Sequence, residues 1–227
     1  MKKLIVVGLL VLLNSCSSQI IKNNLNENTK EYFDINKYKD WEIDTKYSPT
    51  GKDKYLKKGE ERISIEYFND AVQIELNNIN SPYYKFNKFS LKTNRLLLTG
   101  TEFYKINIGI WESYNETGQL IKKIDYDKPY QFSIEDLIKK MKNEYDIDLL
   151  DVERVSYVSR YEEKKDVNLP LYEICYKYNS LNNNKVEYYL INGTTGETLF
   201  TIKRYLGDKQ GSLLDNYLDS LKSEKQK

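Results

Sequence analysis

Apolar and polar residues alternate over short stretches between residues 41 and 130, and turn-forming residues separate these stretches. In residues 62–68 and 71–76 every second residue is apolar, which is the period of a strand with one buried face. Asn69 and Asp70 lie between the two stretches and tolerate the positive φ of a tight turn. The pattern predicts a β-hairpin here, within an antiparallel, hairpin-rich sheet over residues 31–130.

Residues 109–127 predict another hairpin, because Gly118 suits the left-handed position of a short loop between two strands. About 24 residues earlier, Thr93-Asn94-Arg95-Leu96 parallels Thr117-Gly118-Gln119-Leu120, with Asn94 in place of Gly118. A third and weaker match to this turn pattern begins at Thr50-Gly51. This period predicts a small sheet built from repeated hairpins.

The period changes to that of a helix at residues 133–145. Ser133, with Asp136 three residues on, forms a variant of the capping box. One apolar stripe follows, formed by Ile134, Leu137, Ile138, Met141 and Tyr145. Four strand patterns come next, at residues 154–161, 171–178, 186–192 and 198–205. The expected fold class is α+β: an antiparallel β-hairpin sheet followed by a helix-plus-antiparallel-sheet unit over residues 131–206, with a last short helix and tail in residues 207–227.

The N-terminus has the pattern of an export signal. Two lysines precede ten apolar or glycine residues, 4–13, a run too short to cross a bilayer as a helix. The following Leu13-Asn14-Ser15-Cys16 resembles the lipobox of bacterial lipoproteins, although Asn14 is larger than the usual residue there. The resemblance implies a signal peptide over residues 1–15, acylation at Cys16 and a flexible tether over residues 16–30. It places the protein in the bacterial cell envelope, and Ser17 favours the outer membrane, on its periplasmic or surface side.

Composition excludes several functional classes. The chain has no histidine, which removes histidine-dependent triads and zinc sites. Its 35 basic and 34 acidic residues nearly cancel, so it lacks the basic field that nucleic-acid binding requires. The acidic residues do not include an isolated carboxylate pair of the kind that would indicate glycosidase chemistry. We therefore expect a non-catalytic protein with no cofactor, no metal and no nucleic-acid partner, and a small-molecule ligand is not indicated.

Cysteine and tyrosine usage adds two expectations. With Cys16 acylated, Cys175 cannot form an intramolecular disulfide, and an isolated thiol is safest when buried. Yet Cys175 lies on the face of its strand opposite Tyr172, Ile174 and Tyr176, which predicts partial exposure. The 21 tyrosines favour β-sheet, and an aromatic platform for sugars is the sharper alternative.

Two segments resemble known modules. Gly109, Trp111, Tyr114, Gly118 and Leu120 match the pattern of MORN-like hairpin repeats found in bacterial envelope and toxin-immunity proteins. Residues 133–205, with the turn at residues 192–197, resemble PepSY modules, which are associated with binding or restraining proteases. Together with the lipobox, these features resemble small lipoproteins of the Bacteroidetes type.

The resemblances imply a membrane-anchored lipoprotein that binds a protein partner, with immunity to a secreted toxin as one form of this function. A modulator of an envelope protease, a glycan-binding surface lipoprotein and a structural envelope component remain as alternatives. The candidate binding residues are aromatic, since tyrosine and tryptophan anchor many interfaces. They are Trp111, Tyr114, Tyr126, Tyr172 and Tyr176.

Overall fold

Two antiparallel sheets and two α-helices form the part of the chain that our computed structural model describes, residues 31–47, 51–177, 185–205 and 211–224. This arrangement confirms the coarse α+β prediction. The first sheet is an eight-stranded meander in which each strand pairs with the next. Its strands are β1 (Glu42–Ile43), β2 (Lys54–Lys58), β3 (Glu61–Tyr67), β4 (Ala71–Asn78), β5 (Tyr83–Ser90), β6 (Leu96–Phe103), β7 (Ile106–Tyr114) and β8 (Leu120–Asp125).

The second sheet has four strands in the order β12-β11-β10-β9. They are β9 (Val155–Glu163), β10 (Leu169–Lys177), β11 (Lys185–Asn192) and β12 (Thr198–Tyr205). The α-helices are α1 (Ile134–Tyr145) and α2 (Leu213–Glu224), and a 3₁₀ helix spans Ile35–Tyr38. No helix in the described residues is long and apolar enough to cross a membrane.

The hairpin predicted around residues 69 and 70 is confirmed as β3 and β4. The Phe68 N–H donates to the Ala71 carbonyl at 2.8 Å and closes the turn. Asn69 and Asp70 are not among the residues with positive φ, so the turn does not use the left-handed geometry that these residues tolerate. Ile63 and Ile65 bury one face of β3, as the alternation predicts.

The N-terminal segment covers one end of this buried face. Phe33, Ile35, Tyr38 and Trp41 pack against a cluster of apolar side chains from the meander. The buried members of that cluster are Leu56, Ile63, Ile65, Val72, Ile74 and Phe89. The alternation identifies the sheet face correctly but does not indicate which segment covers it.

Helix α1 begins as predicted. The Ser133 hydroxyl accepts the Asp136 N–H at 3.1 Å, and the two side chains are hydrogen-bonded at 2.8 Å. This interaction lowers the pKa of Asp136. Ile134, Leu137 and Met141 are buried, which confirms the apolar stripe as a core face.

One core joins the meander to the C-terminal unit. Phe103 of β6 and Ile108 of β7 lie in the same cluster of buried residues as Leu137 of α1 and Ile174 of β10. The predicted boundary near residue 130 therefore falls within a shared core. A polar contact strengthens the junction, because Arg160 of β9 forms an ion pair with Asp127 at 2.8 Å and also donates to the Asn107 carbonyl of β7.

Helix α2 covers part of the opposite face of the second sheet. Leu213, Leu214 and Tyr217 pack against Leu171 and Leu190. This packing confirms the final amphipathic helix that the sequence predicts.

The expectation that Cys175 is partly exposed is wrong, because its exposed fraction is only 1%. It lies between Tyr157 and Tyr188 in the register of the sheet, and these large side chains flank the small thiol. Burial raises the pKa of the Cys175 thiol, which disfavours the reactive thiolate.

Candidate functional site

Three of the five aromatic residues predicted to bind a partner lie in or beside the β7–β8 hairpin. They are Trp111, Tyr114 and Tyr126. The other two, Tyr172 and Tyr176, lie in β10 and their side chains are buried. The hairpin is therefore the candidate site, and the roles of its aromatic residues follow from their contacts.

Trp111 attaches β7 to the neighbouring strand. A Cβ atom built on Gly100 would lie 2.1 Å from the Trp111 ring, so the indole lies directly on the β6 backbone. The indole Nε1–H donates to the Thr101 carbonyl at 3.1 Å, and the ring centroid lies 5.1 Å from that of Phe86. Tyr126 meets the same indole edge to face at 5.9 Å. Trp111 is buried and acts as a packing residue.

The two turns that share the Thr-Asn/Gly pattern lie side by side. Asn94 has φ +57° and Gly118 has φ +82°, so the predicted left-handed position is confirmed in both. The Thr93 hydroxyl donates to the Glu116 carboxylate at 2.7 Å, and Arg95 donates to the Thr117 carbonyl at 3.2 Å. These bonds join the β5–β6 and β7–β8 hairpins at their tips.

Tyr114 belongs to a polar row across the hairpin. Its hydroxyl donates to Glu112 at 2.7 Å, and Glu112 forms an ion pair with Lys123 of β8 at 3.3 Å. Burial and the hydrogen bond to Glu112 raise the pKa of Tyr114 to about 12. Tyr114 is half-buried, and its hydrogen bond holds Glu112 on the same strand, while the ion pair of Glu112 with Lys123 joins β7 to β8.

The exposed feature of the hairpin is the outer edge of β8. This strand is the last of the meander and has a strand neighbour on one side only within the described chain. Leu120 and Ile121 are exposed on it, and Ile110 is exposed on β7 beside it. Two adjacent apolar residues do not fit the alternation of a strand with one buried face, so Leu120-Ile121 is a signal that the sequence itself carries. The register of β8 against β7 shifts by one residue at this point, because Ser113 is opposite Lys122 and Tyr114 is opposite Leu120, so Ile121 is an extra residue on the β8 side. Sequence reasoning favoured the aromatic residues instead and missed this edge.

Tyr172 and Tyr176 correct the predicted set of binding residues. Tyr172 is 0% exposed, and its hydroxyl donates to the Phe132 carbonyl at 2.8 Å. The Tyr176 ring is covered by the Arg154 guanidinium at 4.9 Å. Neither ring offers a surface to a partner, because α1 packs over this face of the second sheet.

The buried tyrosines predict a loss of stability at alkaline pH. Burial raises the pKa of Tyr172 to about 12, although Arg160 opposes the shift, and burial likewise raises the pKa of Tyr130 to about 12. A folded-state pKa above the unfolded value of about 10 stabilises the fold below pH 10. That contribution is lost as pH rises from about 10 to about 12, because unfolding then releases protons.

We therefore expect the urea midpoint of unfolding to fall over this pH range. In Tyr172→Phe the fall is shallower, although the lost hydrogen bond lowers stability near neutral pH by about 1 kcal/mol. If the urea midpoint falls equally steeply with pH in the two proteins, a role for Tyr172 ionisation is contradicted.

A groove of about 440 Å³ is a second surface feature, at the other edge of the meander. Its walls include Tyr38 and Trp41 from the N-terminal segment and Ile43 from β1. Within the described residues, no group of three or more acidic or cysteine side chains is arranged to hold a metal. Cys16, the predicted acylation site, and the rest of the predicted signal peptide and tether lie outside the described residues.

Comparison with known proteins gives no match. No family model, curated protein or solved structure matches the chain.

Proposed function

We propose that the chain is a non-catalytic envelope lipoprotein, anchored through Cys16, that binds a protein partner along the outer edge of β8. The observation that carries this proposal is a strand edge that no other strand of the described residues pairs with, and on which Leu120 and Ile121 are exposed. Such an edge offers backbone donors and acceptors that another chain can pair with, and apolar side chains that the partner can cover.

The aromatic residues support this proposal because their contacts hold the β7–β8 hairpin in a fixed position. Trp111 holds β7 on β6, and Glu112, which accepts a hydrogen bond from Tyr114, joins β7 to β8 through its ion pair with Lys123. Preorganisation lowers the entropic cost of association. The MORN-like pattern favours one kind of partner-binding protein, an immunity protein against a secreted toxin. In that case, deleting the gene kills the cell only when the gene for the cognate toxin is present.

A PepSY-type modulator of an envelope protease is the second candidate. It is favoured by the packing of α1 on a four-stranded antiparallel sheet and by the turn at residues 192–197. In that turn, the Asn192 side chain accepts the Thr194 N–H at 2.8 Å, and Gly196 has φ +76°. This function predicts that the protein inhibits a protease of the same envelope. Burial of Trp111, Tyr172 and Tyr176 removes support from the glycan-binding alternative.

Site-specific crosslinking tests the proposed edge. Ile121 is replaced by the photoreactive residue p-benzoylphenylalanine in the full chain, expressed in its native host. Ile43 provides a matched control because it is 67% exposed, against 65% for Ile121, and lies in the strand at the opposite end of the same sheet. We expect one protein to crosslink from position 121 and not from position 43, as identified by mass spectrometry.

Two other results would contradict the proposal. Crosslinks from position 43 alone would move the interaction to the groove beside β1. The absence of crosslinks from both positions would remove the evidence for an edge-bound partner. A crosslinked protease would select the second candidate, whereas a crosslinked toxin would support immunity.

A further inference from the structure

The outer edge of β8, which has no strand neighbour among the residues that the structure describes, carries two adjacent lysines, Lys122 and Lys123. Neighbouring residues of a strand point to opposite faces, so one lysine lies on each face of the sheet. Lys123 is opposite Glu112 and forms an ion pair with it at 3.3 Å. Lys122 is opposite Ser113 and has no carboxylate partner in the described part of the chain. The edge therefore has exposed positive charge beside the exposed apolar residues Leu120 and Ile121.

β8 pairs regularly with β7 from Lys122 to Asp125, and a strand added along that part of the edge would place its side chains directly opposite those of β8. Opposite charges in such cross-strand positions are favourable, and like charges are unfavourable. From this charge pattern, and on the basis of the proposed function, we propose that β8 accepts an extended partner segment with two adjacent acidic residues flanked by apolar residues. The acidic residues face Lys122 and Lys123, one on each face, and the flanking residues cover Leu120 and Ile121.

A second copy of the chain fits the edge less well. Two antiparallel β8 strands that pair around Lys122 or Lys123 place that lysine against its own copy, which is unfavourable. Pairing around Ile124 places Lys123 against Asp125 of the copy, but it also places Lys122 against Tyr126, which lies beyond the end of β8. That register leaves Leu120 and Ile121 uncovered. Pairing around Ile121 places Lys122 against Leu120 and Lys123 against Gln119 of the copy, so neither lysine meets an acidic residue. An acidic partner segment has none of these defects.

Binding of synthetic peptides to the full chain in detergent tests the inference. The probe is a short, fluorescently labelled peptide of valine and threonine residues around two adjacent glutamates. One control peptide has two lysines in place of the glutamates, and another has N-methylated backbone amides that cannot join a β-ladder. We expect the glutamate peptide to bind about tenfold more tightly than the lysine peptide, since two cross-strand pairs change sign.

The variant Lys122→Glu should reverse or abolish this preference, while N-methylation should abolish binding of the glutamate peptide. Equal binding of the two charged peptides overturns the inference, as does equal binding of the methylated peptide, which would show charge attraction without strand pairing. A dimer detected by light scattering that is lost in Ile124→Lys would assign the edge to a second copy instead.

The outcomes separate this inference from the proposed function. A partner that crosslinks from position 121, combined with peptides that show no charge preference, leaves the function standing and removes the inference. A clear peptide preference without any crosslinked protein would support the edge chemistry and remove the evidence for a protein partner in that host.

Discussion

Replacing Phe103 with alanine should lower the free energy of unfolding by about 4 kcal/mol, the cost of a large cavity in a well-packed core. Phe103 is 0% exposed and lies in the cluster that joins the meander to α1 and the second sheet. Its ring contacts Tyr83 and Tyr104, each with a centroid separation of 5.0 Å. Urea unfolding followed by both near- and far-UV circular dichroism measures the effect. Because the core is shared, both signals should shift to the same lower midpoint.

Phe68→Ala is the matched control, since Phe68 belongs to the same region of the chain but is 49% exposed. Its ring has a lysine neighbour, Lys88, at 5.6 Å, so the expected cost is below about 1 kcal/mol. Similar costs at the two positions would contradict the assignment of Phe103 to a core. Two separate transitions in Phe103→Ala would show that the two sheets unfold independently.

The parts of the fold that sequence predicts well are those set by local chemistry. Helix α1 follows from a capping residue and an apolar stripe, and its observed start after Ser133 agrees with that pattern. The left-handed residues Asn94 and Gly118 follow from the few residue types that tolerate positive φ. In both cases the signal lies within a few residues of the structure it determines.

Features that depend on distant contacts could not be predicted in this way. Tyr104 and Lys105 have φ values of +48° and +69°, which their residue types do not favour. The Tyr104 hydroxyl donates to the Leu149 carbonyl at 3.0 Å, a contact across 45 residues of chain, and this contact holds the turn against the C-terminal unit. Burial of Arg160 is also a long-range effect, because its partners Asn107 and Asp127 belong to other segments.

In the candidate site, too, the sequence predicts the locally encoded features and not those that depend on distant contacts. The pattern around Trp111 and Gly118 locates the hairpin correctly, since it encodes a turn and a packing residue. It does not reveal that Trp111 is buried, because the covering atoms come from Gly100 and Phe86 on other strands. Exposure of β8 depends on its place at the end of the meander, which strand order alone determines.

Gly100→Ala should destabilise the protein by about 3 kcal/mol and also weaken attachment of the candidate edge. The added methyl would lie 2.1 to 2.5 Å from three atoms of the Trp111 ring, so the indole must move away from β6. Overpacking of this kind costs about 1–3 kcal/mol, and displacement also breaks the hydrogen bond from Nε1–H to the Thr101 carbonyl. Urea unfolding followed by tryptophan fluorescence measures the loss, and crosslinking yield from position 121 measures the effect on the edge.

Gly59→Ala separates the steric effect from the general cost of replacing glycine. Gly59 has φ +59° but nothing within 4 Å of an added Cβ, so only backbone strain of about 1 kcal/mol is expected there. The double variant Gly100→Ala with Trp111→Leu should be less destabilised than the sum of its single changes, since the smaller side chain makes room for the methyl. Additive costs would contradict a direct Gly100–Trp111 contact. If Gly100→Ala keeps full stability but its crosslinking yield falls, Trp111 positions the edge without contributing to the core. If stability and crosslinking yield both fall, this single contact serves both stability and partner binding.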